Sequence, residues 1–389
     1  VRAHGARLRL DVNYALQYRL YANHSSANGH NHLLNSNALL DVWDRHLFLQ
    51  ASAQTAQQNI SPLGAQSVSN VNLTNNRADV RQSTLSPFWV SRLGSWANVE
   101  ARYTWSKTDT SSEAQDIGSD TRSVNLTLRN GPQFTTFGWS GSYSRQDIET
   151  TGSGQFPERT LETTSVTGSY RLYPTLSLLA TLGYEDNSYG STQGSTAGSF
   201  WNVGADWAPS TRTRVRGTFG KRYFGDTFSL DANHRTRLTT WTVSYSEQVV
   251  ATPSRFQFPA AFDTAATLDR LLLGRIPDPV ERLAAVDALV VGLGLPPALI
   301  SSVDFLSNRV SLSKRLLGLF GLRGTRGNLL ANVFHERRSN ENSGSTTTFL
   351  GTDPFAISDN VTQMGFSTIL SWRFSQRTAG SISQAHTRS

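Results

Sequence analysis

The sequence lacks several features that large soluble proteins usually have. It contains no cysteine, which excludes disulfides and is compatible with a protein of the oxidising cell envelope. Only 38% of its 389 residues are hydrophobic, too few to fill a large central core. The most apolar window, residues 283–300, contains Asp287 and the pair Pro296-Pro297, which excludes a membrane-spanning helix there.

Motifs of known chemistry are also missing. There is no nucleophile elbow, P-loop or dinucleotide fingerprint, so we predict no enzyme activity and no cofactor. A membrane-embedded hydrolase stays open as an alternative, because its Ser/His or Asp/His residues need not be close in sequence. The eight histidines are scattered without metal-ligand spacing, and His30-Asn31-His32 is predicted to be an exposed loop pair rather than a metal site.

The formal net charge is +7, and a basic excess can indicate a nucleic-acid partner. Here the arginines are spread along the whole chain and do not form one patch. We therefore predict no nucleic-acid partner.

The chain has a strict two-residue alternation instead, clearest in residues 5–21. One parity is apolar or aromatic: Leu8, Leu10, Val12, Tyr14, Leu16, Tyr18 and Leu20. The other parity carries charged and polar residues, among them Arg9, Asp11 and Arg19. Side chains of a β-strand point alternately to two faces, so this segment has one apolar side and one polar side. Strands of about 9–11 residues with this alternation span a bilayer in closed barrels.

The same unit recurs along the chain, in about seventeen segments joined by alternately short and long connections. Tryptophan and tyrosine lie near the predicted strand ends, as in the aromatic girdles of membrane barrels, at Trp105, Tyr143, Tyr184, Trp207, Tyr223, Tyr245 and Trp372. We predict an all-β, single-domain transmembrane up-and-down antiparallel β-barrel over residues 1–389, with about 16–18 strands. A soluble all-β sandwich or propeller is the alternative.

Residues 252–305 interrupt this alternation. Apolar residues at three- and four-residue spacing and the sequence Asp278-Pro279-Val280-Glu281 predict helices in an extracellular loop insertion. This insertion could fold into the barrel mouth as a constriction, or form an extracellular cap or partner surface. The candidate constriction residues are Phe262, Asp263, Leu268, Leu272, Asp278 and Glu281.

Charged residues of the polar parity are candidates for lining a pore. They are Arg9, Asp11, Arg19, Glu100, Arg102, Arg171, Asp206, Arg212, Arg214, Arg216, Arg222, Asp231 and Arg235. Positive rings in a channel favour anions by Coulomb attraction. The alternative is that these charges pair across neighbouring strands and only solvate the interior.

Several stretches resemble the PEP-CTERM system-associated outer-membrane β-barrel family, which is encoded in exosortase-linked exopolysaccharide loci of Gram-negative bacteria. They are GARLRLDVNYALQYRLYA, LFLQASAQTAQQNISPLG, FPAAFDTAATLD and, most specifically, residues 199–247. The resemblance implies a porin-like channel in the outer-membrane bilayer that exports extracellular polysaccharide, with a periplasmic polysaccharide-export protein as partner. It carries over no catalytic residues.

Two other functions stay open from the residues: a small-solute porin, or a barrel scaffold that holds a partner protein. A barrel usually ends in an aromatic residue, whereas this sequence ends in SISQAHTRS. We therefore expect one or both ends of the barrel to be incomplete.

Overall fold

Eighteen β-strands make up the regular structure of the residues that the structure describes. The computed structural model describes residues 2–20, 28–59, 77–111, 116–151, 158–189, 196–251, 310–324, 326–340, 360–375 and 378–388. The strands are β1 (Arg2–His4), β2 (Leu8–Arg19), β3 (Gly29–Trp43), β4 (Leu47–Asn59), β5 (Arg77–Leu93), β6 (Ala97–Ser111), β7 (Asp116–Asn130), β8 (Phe137–Thr151), β9 (Arg159–Tyr173), β10 (Leu176–Ser188), β11 (Ala197–Ser210), β12 (Thr213–Arg222), β13 (Gly225–Arg235), β14 (Thr239–Ala251), β15 (Val310–Arg323), β16 (Gly327–Asn340), β17 (Asn360–Arg373) and β18 (Ala379–Arg388).

Every strand pairs antiparallel with the next strand in the chain, which gives one continuous meander. The predicted all-β, up-and-down antiparallel sheet is therefore confirmed. Closure is not: within the described ranges the pairing ends at β1 on one side and at β18 on the other. The side chains described in β18 are nearly all exposed, as in an edge strand.

The predicted helical insertion lies outside the described residues. Its six candidate constriction residues, Phe262, Asp263, Leu268, Leu272, Asp278 and Glu281, all fall between residues 252 and 309. No helix occurs among the described residues, so the structure gives no support to that part of the predicted fold class. No helix among the described residues is long and apolar enough to cross a membrane.

The two faces of the sheet have opposite chemistry. On one face, which we call the apolar face, large hydrophobic side chains are exposed, including Leu182 at 70%, Tyr18 at 67% and Val166 at 61%. On the other, which we call the polar face, small polar side chains such as Ser106 and Thr121 are buried. A protein folded in water hides its large apolar side chains. The observed arrangement confirms the predicted apolar-out alternation and excludes the soluble sandwich or propeller, since the apolar face needs lipid against it.

The apolar face ends at a sharp line on the side of the long connections. Along β6 the outward residue after Trp105 is Lys107, and along β10 the residue after Tyr184 is Asp186. Beyond this line lies a band of outward ion pairs, such as Arg122 with Glu149 at 3.4 Å, and the indole of Trp105 donates to Asp120 at 2.9 Å. Apolar side chains below such a line and charged ones above it are typical of a lipid–water boundary.

Aromatic side chains mark the opposite rim, where the connections are short. They include the exposed residues Trp43, Trp96, Tyr173, Trp207, Trp372 and Phe374. Together with Trp105 and Tyr184 near the lipid–water boundary on the other side, they form the predicted pair of aromatic girdles. The strands β5 to β9 have 15 to 17 residues, more than the roughly 9–11 needed to cross a bilayer, so they extend past the lipid boundary.

The turn between β3 and β4 carries backbone strain. Asp44 and Arg45 have φ values of 37° and 62°, and the amide of His46 donates to the carbonyl of Trp43 at 2.7 Å. Two positive φ values are the signature of a type I′ hairpin turn, in which glycine is favoured. An L-residue in this region costs roughly 1–2 kcal/mol relative to its preferred conformations.

We expect Arg45→Gly to raise the free energy of unfolding by about 0.5–1 kcal/mol, because glycine adopts positive φ without a steric penalty. Urea unfolding of the protein in lipid vesicles, followed by tryptophan fluorescence, measures the change. The matched control is Gly94→Ala in the β5–β6 turn, where φ is 59°, and there we expect the free energy of unfolding to fall. A variant at position 45 that is less stable than the parent would contradict this account of the turn.

Candidate functional site

The polar face of the sheet is the candidate functional site. Its strands are held together by side-chain hydrogen bonds as well as by the backbone. Across β4, β5 and β6, Gln54 donates to Gln82 at 3.1 Å and Gln82 donates to Ser106 at 3.1 Å. Ser86 donates to the hydroxyl of Thr104 at 2.9 Å. This ladder satisfies polar groups that would otherwise be buried without partners.

An arginine stacks on an aromatic pair on the same face. Phe48 and Phe88, directly opposite each other on β4 and β5, have ring centres 4.9 Å apart and nearly parallel planes. The guanidinium carbon of Arg102 lies 3.9 Å from the centre of the Phe88 ring. Arg102 also donates to Gln50 at 3.1 Å and contacts Glu100 at 3.3 Å. The predicted residues Glu100 and Arg102 are therefore neighbours, and Arg102 is held by cation–π and charge-assisted contacts.

Arginines of β12 face two aspartates. The Nε and Nη2 atoms of Arg214 donate to the two carboxylate oxygens of Asp206, at 2.9 and 2.5 Å. Arg216 lies directly opposite Asp206 on β11 and opposite Asp231 on β13. Arg212 is exposed at the turn that precedes β12. Three arginines thus share this region with two aspartates, which leaves a local positive excess.

A buried ion pair lies near the end of the polar face with the long connections. The carboxylate of Glu185 on β10 is 1% exposed, and Nε of Arg222 donates to it at 2.5 Å. The guanidinium carbon of Arg222 also lies 5.5 Å from the ring centre of Phe200 and 5.1 Å from that of Phe224. Arg222 therefore compensates a charge that has almost no contact with solvent.

The predicted girdle residue Tyr223 has a different environment. It lies in the short β12–β13 turn, where its hydroxyl is 2.6 Å from that of Tyr189. Tyr189 in turn belongs to a buried cluster with Ile148 and Val310. This cluster brings together the ends of β8 and β15, which are not neighbours in the sheet. Strand ends on both sides of the β12–β13 hairpin therefore meet here.

Two features of β15 to β17 escaped the sequence analysis. Glu336 is buried, accepts from Ser313 at 2.7 Å and contacts Arg338 at 2.9 Å. The polar face of these strands also carries a buried apolar cluster, formed by Leu317, Leu319, Leu330, Phe334 and Ile369. The alternation fails here because LLGLFGL is apolar at both parities. The Glu336–Arg338 spacing could have been noticed, since both residues share one parity of β16.

The structure places the other predicted lining residues on the polar face. In register, Arg9 lies opposite Leu39, Asp11 opposite Asn37, Arg171 opposite Ser177 and Arg235 opposite Thr240. These residues share a face but form no single cluster. The side chain of Arg19 is outside the described part of the chain. That the set lines a transport path stays a prediction.

Potential metal-ligand side chains on the described strands occur singly or in pairs. These strands contain no cluster of three or more histidine, aspartate or glutamate side chains that could hold a metal ion. His30 and His32 lie on β3, so the predicted loop pair is wrong in its secondary structure.

Comparison with known proteins identifies solved structures of similar fold. No family model matches the sequence, and none of the curated proteins is similar to it. Among solved structures, the FrpB iron transporter of Neisseria meningitidis (F5-1 variant, apoprotein form) matches 99% of this chain and 65% of its own, with a TM-score of 0.52 and 10% identity. The F3-3 variant of FrpB matches 98% of this chain and 65% of its own, with a TM-score of 0.50 and 10% identity. The chain thus spans slightly less than two thirds of these transporters.

This likeness corrects the predicted function. The predicted polysaccharide-export channel with a periplasmic export partner is wrong, because the two solved structures reported above are iron transporters. They are also transporters rather than enzymes. The exposed apolar face and the transporter fold together place the chain in the outer membrane of a Gram-negative bacterium.

Proposed function

We propose that the chain forms the wall of an uptake path for an anionic iron chelate across the outer membrane. Two findings support this: the fold likeness to the FrpB iron transporter over 99% of the chain, and the arginine-bearing polar face. Iron in oxygenated water is carried by oxygen-rich chelators, which commonly bear negative charge at neutral pH. A surface with exposed arginines attracts such solutes and raises their local concentration.

The arginines of β12 carry the proposal. Arg214 and Arg216 lie on one parity of β12 and Arg212 lies in the turn just before it, and all three are exposed. Among the described strand partners of these three arginines, two carry a carboxylate, Asp206 and Asp231, so the segment keeps a net positive charge. An anionic solute gains Coulomb energy at this segment and is then held near the polar face.

The test is iron accumulation in cells. A strain that lacks the gene is complemented with the natural full-length protein or with the variant Arg212→Gln/Arg214→Gln/Arg216→Gln, and radiolabelled ferric citrate is supplied under iron limitation. We expect the deletion to reduce iron accumulation, and the triple variant to recover less than about one third of it, since the positive charge that holds an anionic solute in the path is lost. The protein level in the outer membrane is measured in parallel.

A matched control removes three arginines from the opposite face. Arg81, Arg122 and Arg145 lie on the apolar-face parity, beyond the lipid boundary, and are exposed. Their replacement by glutamine changes the net charge equally, and we expect iron accumulation to stay within the scatter of the parent. Equal accumulation with and without the gene, or equal loss in the two triple variants, would contradict the proposed function.

The resemblance to the PEP-CTERM system-associated family stays a prediction, because no family model bears on it. An iron-uptake role makes no use of the polysaccharide function that this resemblance implies.

A further inference from the structure

Two histidines share the apolar-face parity of β3 with two tyrosines of β2 beside them. His30 and His32 are separated by one residue, so both side chains leave the strand on the same face. Tyr18 lies directly opposite His30, and Tyr14 lies opposite Leu34, two outward positions further along β2. All four side chains are exposed.

The pair lies at the edge of the apolar face, where Leu16 of β2 is directly opposite His32. Along β3 the outward residues from the short-connection end are Leu40, Ala38, Ser36 and Leu34, and His32 follows. The same change from apolar to polar occurs after Trp105 on β6 and after Tyr184 on β10. Water and lipid headgroups therefore reach both imidazoles.

The distance between the two ring centres equals that expected for two imidazoles bound to one metal ion. The ring centres of His30 and His32 are 5.2 Å apart and their planes are nearly perpendicular. A metal–nitrogen bond of about 2.0–2.1 Å puts each ring centre roughly 3.2 Å from the ion, so two rings at a tetrahedral angle have centres about 5 Å apart. The observed separation matches this value.

A second contact fixes the orientation of one ring. The hydroxyl of Tyr14 lies 2.8 Å from Nδ1 of His32, which leaves Nε2 of that ring directed away from β2. Imidazoles that bind metals usually have their other nitrogen hydrogen-bonded, because this fixes the tautomer and the ring direction. The ring of His30 stacks on Tyr18 at 6.5 Å with a plane angle of 9°. Both imidazoles are thus positioned by tyrosines.

We propose that His30 and His32 bind one divalent transition-metal ion at the outer boundary of the membrane. Two imidazole nitrogens suit Cu²⁺, Ni²⁺ and Zn²⁺, and Cu²⁺ is bound most tightly by a given nitrogen site. Because both side chains are exposed, the remaining coordination positions are open to water. The site lies on the face opposite the proposed iron path, so it is independent of the proposed function.

Electron paramagnetic resonance of the full chain in detergent, titrated with Cu²⁺ at neutral pH, tests the site. We expect a signal with two equatorial nitrogens at one Cu²⁺ per chain. His30→Gln and His32→Gln should each remove one nitrogen and weaken Cu²⁺ binding at least about tenfold. Tyr14→Phe should keep both nitrogens and weaken binding by a smaller factor, since it removes only the contact that orients His32.

His234 supplies the matched control. It is an exposed histidine of the same parity on β13, and its Nδ1 lies 2.8 Å from the hydroxyl of Thr213. It has a positioned ring but no second histidine one residue away, so His234→Gln should leave the Cu²⁺ affinity and the two-nitrogen signal unchanged. Unchanged Cu²⁺ affinity in either His30→Gln or His32→Gln would overturn the proposal, and so would a parent protein without the two-nitrogen signal.

Discussion

Leu182→Arg is expected to lower the free energy of unfolding by about 2–4 kcal/mol and to reduce the amount of folded protein in the membrane. Leu182 is 70% exposed and lies within the apolar band of β10, between Leu178 and Tyr184. In water an arginine at such an exposed position would change stability by less than about 0.5 kcal/mol. In lipid the guanidinium loses its hydration, so the cost measures whether the apolar face contacts lipid.

The control for this substitution is an arginine placed at a different depth in the membrane. Ser188 lies on the same strand and the same face as Leu182, six positions further along and beyond the lipid–water boundary. Ser188→Arg places an identical charge in water or among headgroups, where the cost in membrane barrels falls to about 0–1 kcal/mol. Urea unfolding in lipid vesicles measures both variants. Equal stabilities for Leu182→Arg and the parent would show that β10 does not face lipid.

The period of the alternation made most of the sheet predictable from the sequence. In residues 5–21 the apolar parity of β2 follows directly from Leu8, Leu10 and Val12, because side chains on a strand alternate strictly. The same reasoning places Arg102, Asp206 and Arg216 on the polar face, and the structure confirms those sides. The face on which a side chain lies depends only on its position along its own strand, which explains why this part of the prediction succeeded.

Contacts between strands were beyond the sequence analysis. The register of β10 against β9 and β11 decides how Glu185 is buried, and Arg222 reaches it from 37 positions away in the chain. The stack of Phe88 between Phe48 and Arg102 likewise depends on two registers. Register is set by many weak pairings together, and the residues flanking one position do not reveal it.

Local propensity also misled the prediction at one point. Asn, His and Gly around His30 are typical of loops, yet Gly29–Trp43 is one continuous strand. Pairing with β2 supplies the backbone hydrogen bonds that make this extended conformation favourable. Function was still harder to infer, since a fold shared with iron transporters does not by itself select a substrate.

Arg222→Ala is expected to lower the free energy of unfolding by about 3–5 kcal/mol. The carboxylate of Glu185 is 1% exposed, so without Arg222 it is left buried with no cation against it. Loss of the guanidinium contacts with Phe200 and Phe224 adds to this cost. Urea unfolding in lipid vesicles gives the free energy, and retention of the fast-migrating folded form on unheated gels reports assembly.

Arg214→Ala is the matched control, because the same residue type again pairs with an acid on the polar face. The side chain of Arg214 is 63% exposed and that of Asp206 is 12% exposed. Water replaces the lost arginine there, so the expected cost is at most about 1 kcal/mol. The double variant Glu185→Leu/Arg222→Met should recover most of the stability lost in Arg222→Ala, because an apolar pair leaves no buried charge. If the double variant is as unstable as Arg222→Ala, the loss comes from packing around Arg222 and not from the carboxylate of Glu185.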